Sequence, residues 1–286
     1  MLRNFLQRFF DFFLFSSLYI ALCAVVMVYQ TTHLLLAGDP PRGLVLFIFF
    51  STICSYNFHW YLTPHSETSS QRIHWAQQHK GWHLFLYFTG LIGAAVCFFT
   101  IREHWLALAF GAFLTFLYSA PKLPQEFFKS LKQIAVGKTI FLSFVWTYVS
   151  TVLPILVTGA AWTRSALFFT LGRFFLIYAI CILFDYRDRL DDQKDGIRSM
   201  ITYFNERGID ILFGVSIALF VVATLLLGTT GYSWVTMVVL LVPGVLTALL
   251  YHHAKKNFSD YLYYFVLDGL MCLSGVLMFL LSFNYF

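Results

Sequence analysis

Charge is what this chain is short of. Only 12% of its 286 residues are Asp, Glu, Lys or Arg, and its acidic side chains number 14, where a soluble domain is about 25% charged. With 59% hydrophobic residues and a mean hydropathy of +0.72, that shortage excludes a water-soluble globule and places the chain in a bilayer. Cysteine is scarce too. Cys23, Cys54, Cys97, Cys181 and Cys272 all fall within apolar runs, with no paired spacing in a loop. That pattern argues against a disulfide framework and a thiolate metal site and leaves them as small core residues. The period-two alternation over about ten residues that marks a membrane strand is missing as well. No linker or low-complexity tract divides the chain, so residues 1–286 read as a single helical domain.

What the chain has in abundance is long apolar runs. A spanning helix takes about 20 largely apolar residues, and nine stretches are candidates, near 12–36, 44–62, 83–101, 104–119, 136–158, 166–184, 209–228, 234–251 and 261–284. The expected fold is therefore all-α and polytopic, with about nine transmembrane helices. Arg3 and Arg8 precede the first run, as in a signal peptide, but that run exceeds a signal core and no small-residue cleavage site follows it. The first helix is read as retained. Of the 19 Lys and Arg residues, Arg173 lies inside a span and only Arg42, Arg102 and Arg164 fall on the side opposite the N-terminus, leaving 15 on one face. By the positive-inside rule that face is cytoplasmic. It carries the N-terminus and the connections 63–81, 120–135, 185–208 and 252–260, with the C-terminus outside. The net charge of +5 is then a topology signal and gives no reason to invoke nucleic acid. The connections 63–81, 120–135 and 185–208 are longer than neighbouring helices need, and function is expected there.

Five of the 14 acidic residues, Asp185, Asp188, Asp191, Asp192 and Asp195, crowd in directly after the apolar run that ends at Phe184. If the helix continues at about 100° per residue, Asp185, Asp188, Asp192 and Asp195 share an arc of roughly 80°, while Arg187 and Lys194 point away. Like charges at this spacing repel by a few tenths of a kcal/mol per pair, so the stripe calls for a cation. Carboxylate oxygens near water and phosphate suit Mg²⁺ far better than zinc, and Mg²⁺ between carboxylates and a diphosphate acts as a Lewis acid on the leaving group. The plain alternative is a solvated helix end paired locally with Arg187 and Arg189. Gly196 suits the helix end as a residue tolerant of positive φ.

Asp185, Asp188 and Asp192, followed by Lys194, Gly196, Ile197 and Arg198, resemble the second aspartate motif of the UbiA superfamily of intramembrane prenyltransferases. Tyr118, Ser119, Pro121 and Lys122 resemble that family's Tyr-Ser/Thr-x-Pro segment with its diphosphate-facing basic residue. Nine helices with cytoplasmic connections after spans two, four, six and eight fit its layout. The resemblance implies a UbiA-like helical bundle in which Asp motifs on the second and sixth helices hold Mg²⁺ and a prenyl diphosphate. The prenyl chain would lie in a lipid-open apolar cavity, and ionisation would give an allylic cation captured by an aromatic or other lipophilic acceptor. Carried onto this chain, it implies catalytic and metal-binding roles for Asp185, Asp188 and Asp192. Asn57, Tyr118, Lys122, Arg189, Lys194 and Arg198 would bind substrate.

The first motif departs from the family. Its pattern, Asn-Asp-x-x-Asp-x-x-x-Asp, reads here from Asn57 with Phe58, Tyr61 and His65 in place of the carboxylates. A phenyl ring cannot coordinate Mg²⁺, and tyrosine and imidazole are poor ligands for so hard a cation; Glu67 is the one nearby carboxylate. His59, His65, His74, His79 and His83 crowd the same stretch. They read as interfacial histidines, as partners of a diphosphate when protonated, or as a zinc site through His79 and His83 at i, i+4. Within the spans, Arg173 and Asp268 either pair with each other or stand near substrate. The function expected is transfer of an isoprenoid group from a prenyl diphosphate to a lipophilic acceptor, with Mg²⁺. The alternatives are a terpene cyclase, a non-catalytic isoprenoid- or lipid-binding relative, and a transporter.

Overall fold

The computed structural model describes residues 2–63, 70–120, 138–194 and 200–282, and every regular element among them is helical. In chain order these are α1 (Leu2–Phe15), α2 (Leu18–Leu36), α3 (Arg42–Tyr61), α4 (Gln71–Gln78), α5 (Lys80–Thr100), α6 (Trp105–Ser119), α7 (Lys138–Val157), α8 (Arg164–Lys194), α9 (Met200–Tyr203), α10 (Glu206–Leu226), α11 (Trp234–Ala254) and α12 (Leu262–Leu281). Among the described residues, eight helices are long and apolar enough to cross a bilayer: α2, α3, α5, α7, α8, α10, α11 and α12. The span expected near 104–119 is α6, an apolar helix of 15 residues that the 3-10 turn Arg102–His104 extends at its start, still a little shorter than the roughly 20 residues typical of a crossing.

The stretch near 12–36 is two helices instead of one. Ser17 adopts φ 70°, a left-handed backbone that costs a non-glycine residue about 1 kcal/mol, and there the chain turns from α1 into α2. α1 lies on the rim of the bundle. Its Phe10 packs on Tyr261 and Phe265, its Phe12 on Trp75, and its Asp11 accepts a 2.6 Å hydrogen bond from Tyr261. Helix starts are capped where the sequence offers a short polar side chain: Ser70, Asn205 and Ser233 each accept from a backbone N–H at the start of α4, α10 and α11, as orphan donors at a helix start require.

At the centre is α8. Its 31 residues span about 46 Å, more than the roughly 30 Å of hydrocarbon, so the helix carries its polar end out of the apolar zone without a break. Residues 176–183 are all buried, the mark of a helix packed on every side, here against α7, α10, α11 and α12. α3 and α5 pair more closely. The buried seam of α5 is His83, Gly90 and Cys97, while Phe85, Phe88, Ile92, Val96 and Phe99 face outward. A Cβ on Gly90 would lie 2.6 Å from the Cys54 amide nitrogen. Lipid gives no hydrophobic drive for helix association, and small residues that let backbones touch supply packing in its place.

Arg173 and Asp268 do not pair, which corrects one of the two expectations for them. The Arg173 guanidinium, buried on α8, donates to the Met27 and Ser150 carbonyls, to the Thr31 and Thr151 hydroxyls and to Gln30 Oε1, at 2.6–3.1 Å. The Ser150 carbonyl is available because residues Tyr148–Val152 of α7 form a π turn, which interrupts the i to i+4 ladder. Gln30 in turn donates to Ser274 on α12 at 2.9 Å. Arg173 thus clips α2, α7 and α8 together through neutral acceptors, and a second π turn, Leu262–Leu267, sits immediately before Asp268.

Candidate functional site

The helix expected through the Asp motif runs on to Lys194. Asp185 and Asp192 stand two turns apart on its inward face, at 6% and 7% exposure. A buried carboxylate must be paired or hydrogen-bonded, and both turn to the first residue of α7. Lys138 Nζ lies 3.2 Å from Asp192 Oδ2 and 3.7 Å from Asp185 Oδ1, and the neighbouring Thr139 hydroxyl donates to Asp185 Oδ2. From the sequence, Lys138 is one of the 15 basic residues of the predicted cytoplasmic face and has no assigned role. Its signal was there, however: a lysine at the edge of an apolar run, on the same predicted membrane face as the aspartates.

Asp188 stays within electrostatic reach of Asp185, Asp192 and Lys138 and is also engaged by its neighbour. Arg187 Nε donates to Asp188 Oδ1 at 2.7 Å, and Arg187 Nη2 reaches the Tyr264 hydroxyl at 2.9 Å. Asp260 lies 3.6 Å from Arg187 Nη1 and also accepts from Ser70 and from the Arg72 amide at 3.0–3.2 Å. The Arg72 guanidinium is stacked between Trp60 and Tyr264 at 4.3 and 4.4 Å from the ring centroids. Burial pulls it below its ordinary basicity, while Tyr264 and Asp268 act in the opposite sense. Arg189 faces away from the aspartate pair. It donates to Glu206 at 2.8 Å and to the Phe204 carbonyl at 3.0 Å. Glu206 is shared with Lys255, 2.9 Å away; burial works against the Lys255 ammonium, but its bonds to Asp210 and Glu206 hold it above the usual lysine range.

The other expected site residues divide between the two ends. Tyr118 stacks on His59 with ring centroids 5.3 Å apart and lies within electrostatic reach of Lys138 and Asp185, so it joins the aspartate pair. Asn57 is fully buried and occupied: its Nδ2 donates to the Ser16 and Ile53 carbonyls at 3.0 and 2.8 Å, and its Oδ1 meets His83 Nδ1 at 2.7 Å. Lys194 is the last described residue of α8, and Lys122 and Arg198 lie outside the described residues, as do His65, Glu67 and Gly196. Phe58 packs on Tyr87 at 5.4 Å. His79 and His83 both pack on Trp75, at 4.4 and 5.4 Å between ring centroids, and His83 is held by Asn57. Among the described residues no three His, Cys, Asp or Glu side chains converge as a metal site, so the zinc reading finds no cluster there.

Two facts bear on a fit to Mg²⁺. Among the described residues the Lys138 ammonium is the one cation within 4 Å of both carboxylates, so two acidic groups face one basic one. Mg²⁺ is commonly held by one or two carboxylates together with substrate phosphate oxygens. Asp185 and Asp192 therefore fit such a role, whereas Asp188 is engaged by Arg187 and the three aspartates do not form one cluster. The profile of the UbiA prenyltransferase family matches residues 63–265, well over half of the chain. The match includes the Asp motif, Tyr118 and Lys138, and it begins after Asn57, Phe58 and Tyr61. A comparison with curated proteins finds no match.

Proposed function

The chain belongs to the UbiA prenyltransferase family, and on that premise we propose that it binds a prenyl diphosphate at the polar end of α8 and transfers the isoprenoid group to an aromatic or other lipophilic acceptor. The observation that carries this reading is the trio of buried Asp185 and Asp192 with half-buried Lys138, an anion-rich group with one built-in cation at the end of a central membrane helix. Mg²⁺ bound there would neutralise the leaving diphosphate as a Lewis acid, held by Asp185 and Asp192. Lys138 contributes a fixed positive charge for the phosphate oxygens, Tyr118 a hydroxyl beside it, and Lys122, Lys194 and Arg198 are further basic candidates along the same connections. The apolar interior excludes water, which protects an allylic cation from hydrolysis. The site, the N-terminus and the connections after α3, α6, α8 and α11 face the cytoplasm in this reading, and all of residues 1–286 act as one domain.

Diphosphate release from farnesyl or geranylgeranyl diphosphate tests it. Wild-type protein with Mg²⁺ should release inorganic diphosphate, and the Asp185→Asn, Asp192→Asn double variant should not. One observation favours a second reading. At the first motif Phe58 is packed on Tyr87 and Asn57 is fully hydrogen-bonded, so a relative that binds isoprenoid without turning it over would look the same at that end. Tight prenyl diphosphate binding without release, over several chain lengths and acceptors, would decide for that relative.

A further inference from the structure

A concave surface outside the site above lies where α4 turns into α5. It has a volume of about 540 Å³ and is lined by Gln78, His79, Gly81, Trp82 and Phe85. Its walls are rings. Trp82 and Phe85 meet edge-on with centroids 5.8 Å apart, Phe12 of α1 closes on Trp82 at 5.4 Å, and His79 is stacked on Trp75 at 4.4 Å. Gly81 leaves a gap between them, since a Cβ there would meet no atom within 4 Å. The protein does not cover this groove itself: Trp82 and Phe85 are 48% and 59% exposed.

The groove sits at the edge of the membrane. α5 is long and apolar enough to cross a bilayer and begins at Lys80, so Trp82 falls at the level of lipid headgroups, where indole rings gather. From there Phe85, Phe88, Ile92, Val96 and Phe99 continue as an exposed apolar stripe that runs for about 21 Å along the helix, a track for an acyl chain. The polar end is positive. Lys80 and Arg8 are exposed, and among the described residues neither stands in an ion pair. Arg8 lies one turn before Phe12 and so on the face of α1 that meets Trp82. The acidic side chains of this corner are engaged elsewhere, Asp11 by the Tyr261 hydroxyl and Asp260 by Ser70 and the Arg72 amide.

We propose that this groove binds an anionic phospholipid of the leaflet on the N-terminal side. Its phosphate lies by Lys80 and Arg8, its glycerol backbone over Gly81 against Trp82 and Phe85, and one acyl chain along the stripe of α5. Charge selects the headgroup: a zwitterionic lipid would bring its ammonium beside cations, with no carboxylate free to receive it. The proposal goes beyond the transferase reading and does not depend on it.

The test uses full-length protein in detergent, read by native mass spectrometry as palmitoyl-oleoyl phosphatidylglycerol or phosphatidylcholine is added. Wild type should retain one phosphatidylglycerol about tenfold more tightly than phosphatidylcholine, the scale of a pair of basic side chains against a net negative headgroup. The paired Arg8→Gln, Lys80→Gln variant should lower retention of phosphatidylglycerol to that of phosphatidylcholine. Gly81→Leu should remove the bound lipid by filling the groove, with thermal unfolding unchanged because nothing stands within 4 Å of the new Cβ. In nanodiscs, phosphatidylglycerol brominated high on its acyl chain should quench tryptophan fluorescence more than the matching phosphatidylcholine, and Trp82→Phe should abolish the excess. Equal retention of the two lipids, which marks bulk lipid only, overturns the proposal. So does retention unchanged by the paired variant or by a folded Gly81→Leu, and so does a lipid-free dimer, which would give the groove to a second copy of the chain. Should Gly81→Leu unfold early, the quenching decides: an excess that survives Trp82→Phe puts the lipid elsewhere.

Discussion

The inward face of α8 and the end of α3 are the two places where this family would carry carboxylates, and they have been filled in opposite ways. On α8, Asp185 and Asp192 share one ammonium among the described residues, that of Lys138, so two carboxyl groups face one described cation. At the end of α3, Asn57 spends both sides of its amide on Ser16, Ile53 and His83, and Phe58 lies against another ring. One end has electrostatic demand left over for a ligand; at the other the Asn57 amide is bonded on both sides, and what is left beside it is neutral, the buried Ser16 Oγ and His83 Nε2 having no hydrogen-bond partner among the described residues. Burial alone does not distinguish the two, since Asn57 is as enclosed as the aspartates; what separates them is whether partners balance the charge.

The largest effect should come from upsetting that balance at α8. Lys138→Met leaves two buried carboxylates without their cation and should lower stability by about 3 kcal/mol, measured by thermal unfolding in detergent; replacing Asp185 and Asp192 by Asn in the same protein should restore much of it. Next is ligand affinity: the Asp185→Asn, Asp192→Asn pair should weaken Mg²⁺-dependent binding of farnesyl thiolodiphosphate about thirtyfold, or ~2 kcal/mol, by calorimetry. Unchanged binding there would remove the functional contrast between the two ends. At α3, Asn57→Ala strands the Ser16 carbonyl and His83 and should cost about 1.5 kcal/mol of stability. A drop in diphosphate affinity with stability untouched would instead return Asn57 to the site. Converting Phe58 and Tyr61 to Asp together should make binding more dependent on Mg²⁺ by about 1 kcal/mol or less, if α3 keeps the geometry of the missing motif. The smallest change is expected from Arg189→Ala, which removes a rim ion pair with Glu206 worth about 0.5 kcal/mol; a larger loss of diphosphate affinity would place Arg189 among the ligand contacts.

How much of this was legible beforehand varied with the range of the interaction. Periodicity placed Asp185 and Asp192 on one helical face, and α8 does run unbroken to Lys194, because a repeat of 3.6 residues is a local property. The same reasoning grouped Asp188 with them, and it stays within electrostatic reach of both and of Lys138; what periodicity does not show is that the adjacent Arg187 bonds it and Tyr264 of α12. The break at Ser17 was hidden within one apolar run, since a left-handed residue leaves no trace in hydropathy when it is not glycine. The short α6 came from a stretch whose apolar length was itself short.

By itself the sequence determined a helical membrane protein, the approximate positions of its spans, its family resemblance and the helix that bears the aspartates, because hydropathy and periodicity act along the chain. Only the tertiary structure decided which charges meet. Lys138 finds Asp192 from 54 residues away, Arg173 satisfies itself on acceptors of α2 and α7, and Asp268 accepts no hydrogen bond among the described residues. In a low-dielectric interior the fate of a charge depends on the few atoms within about 4 Å of it, and those atoms come from helices that are neighbours in space and remote in sequence.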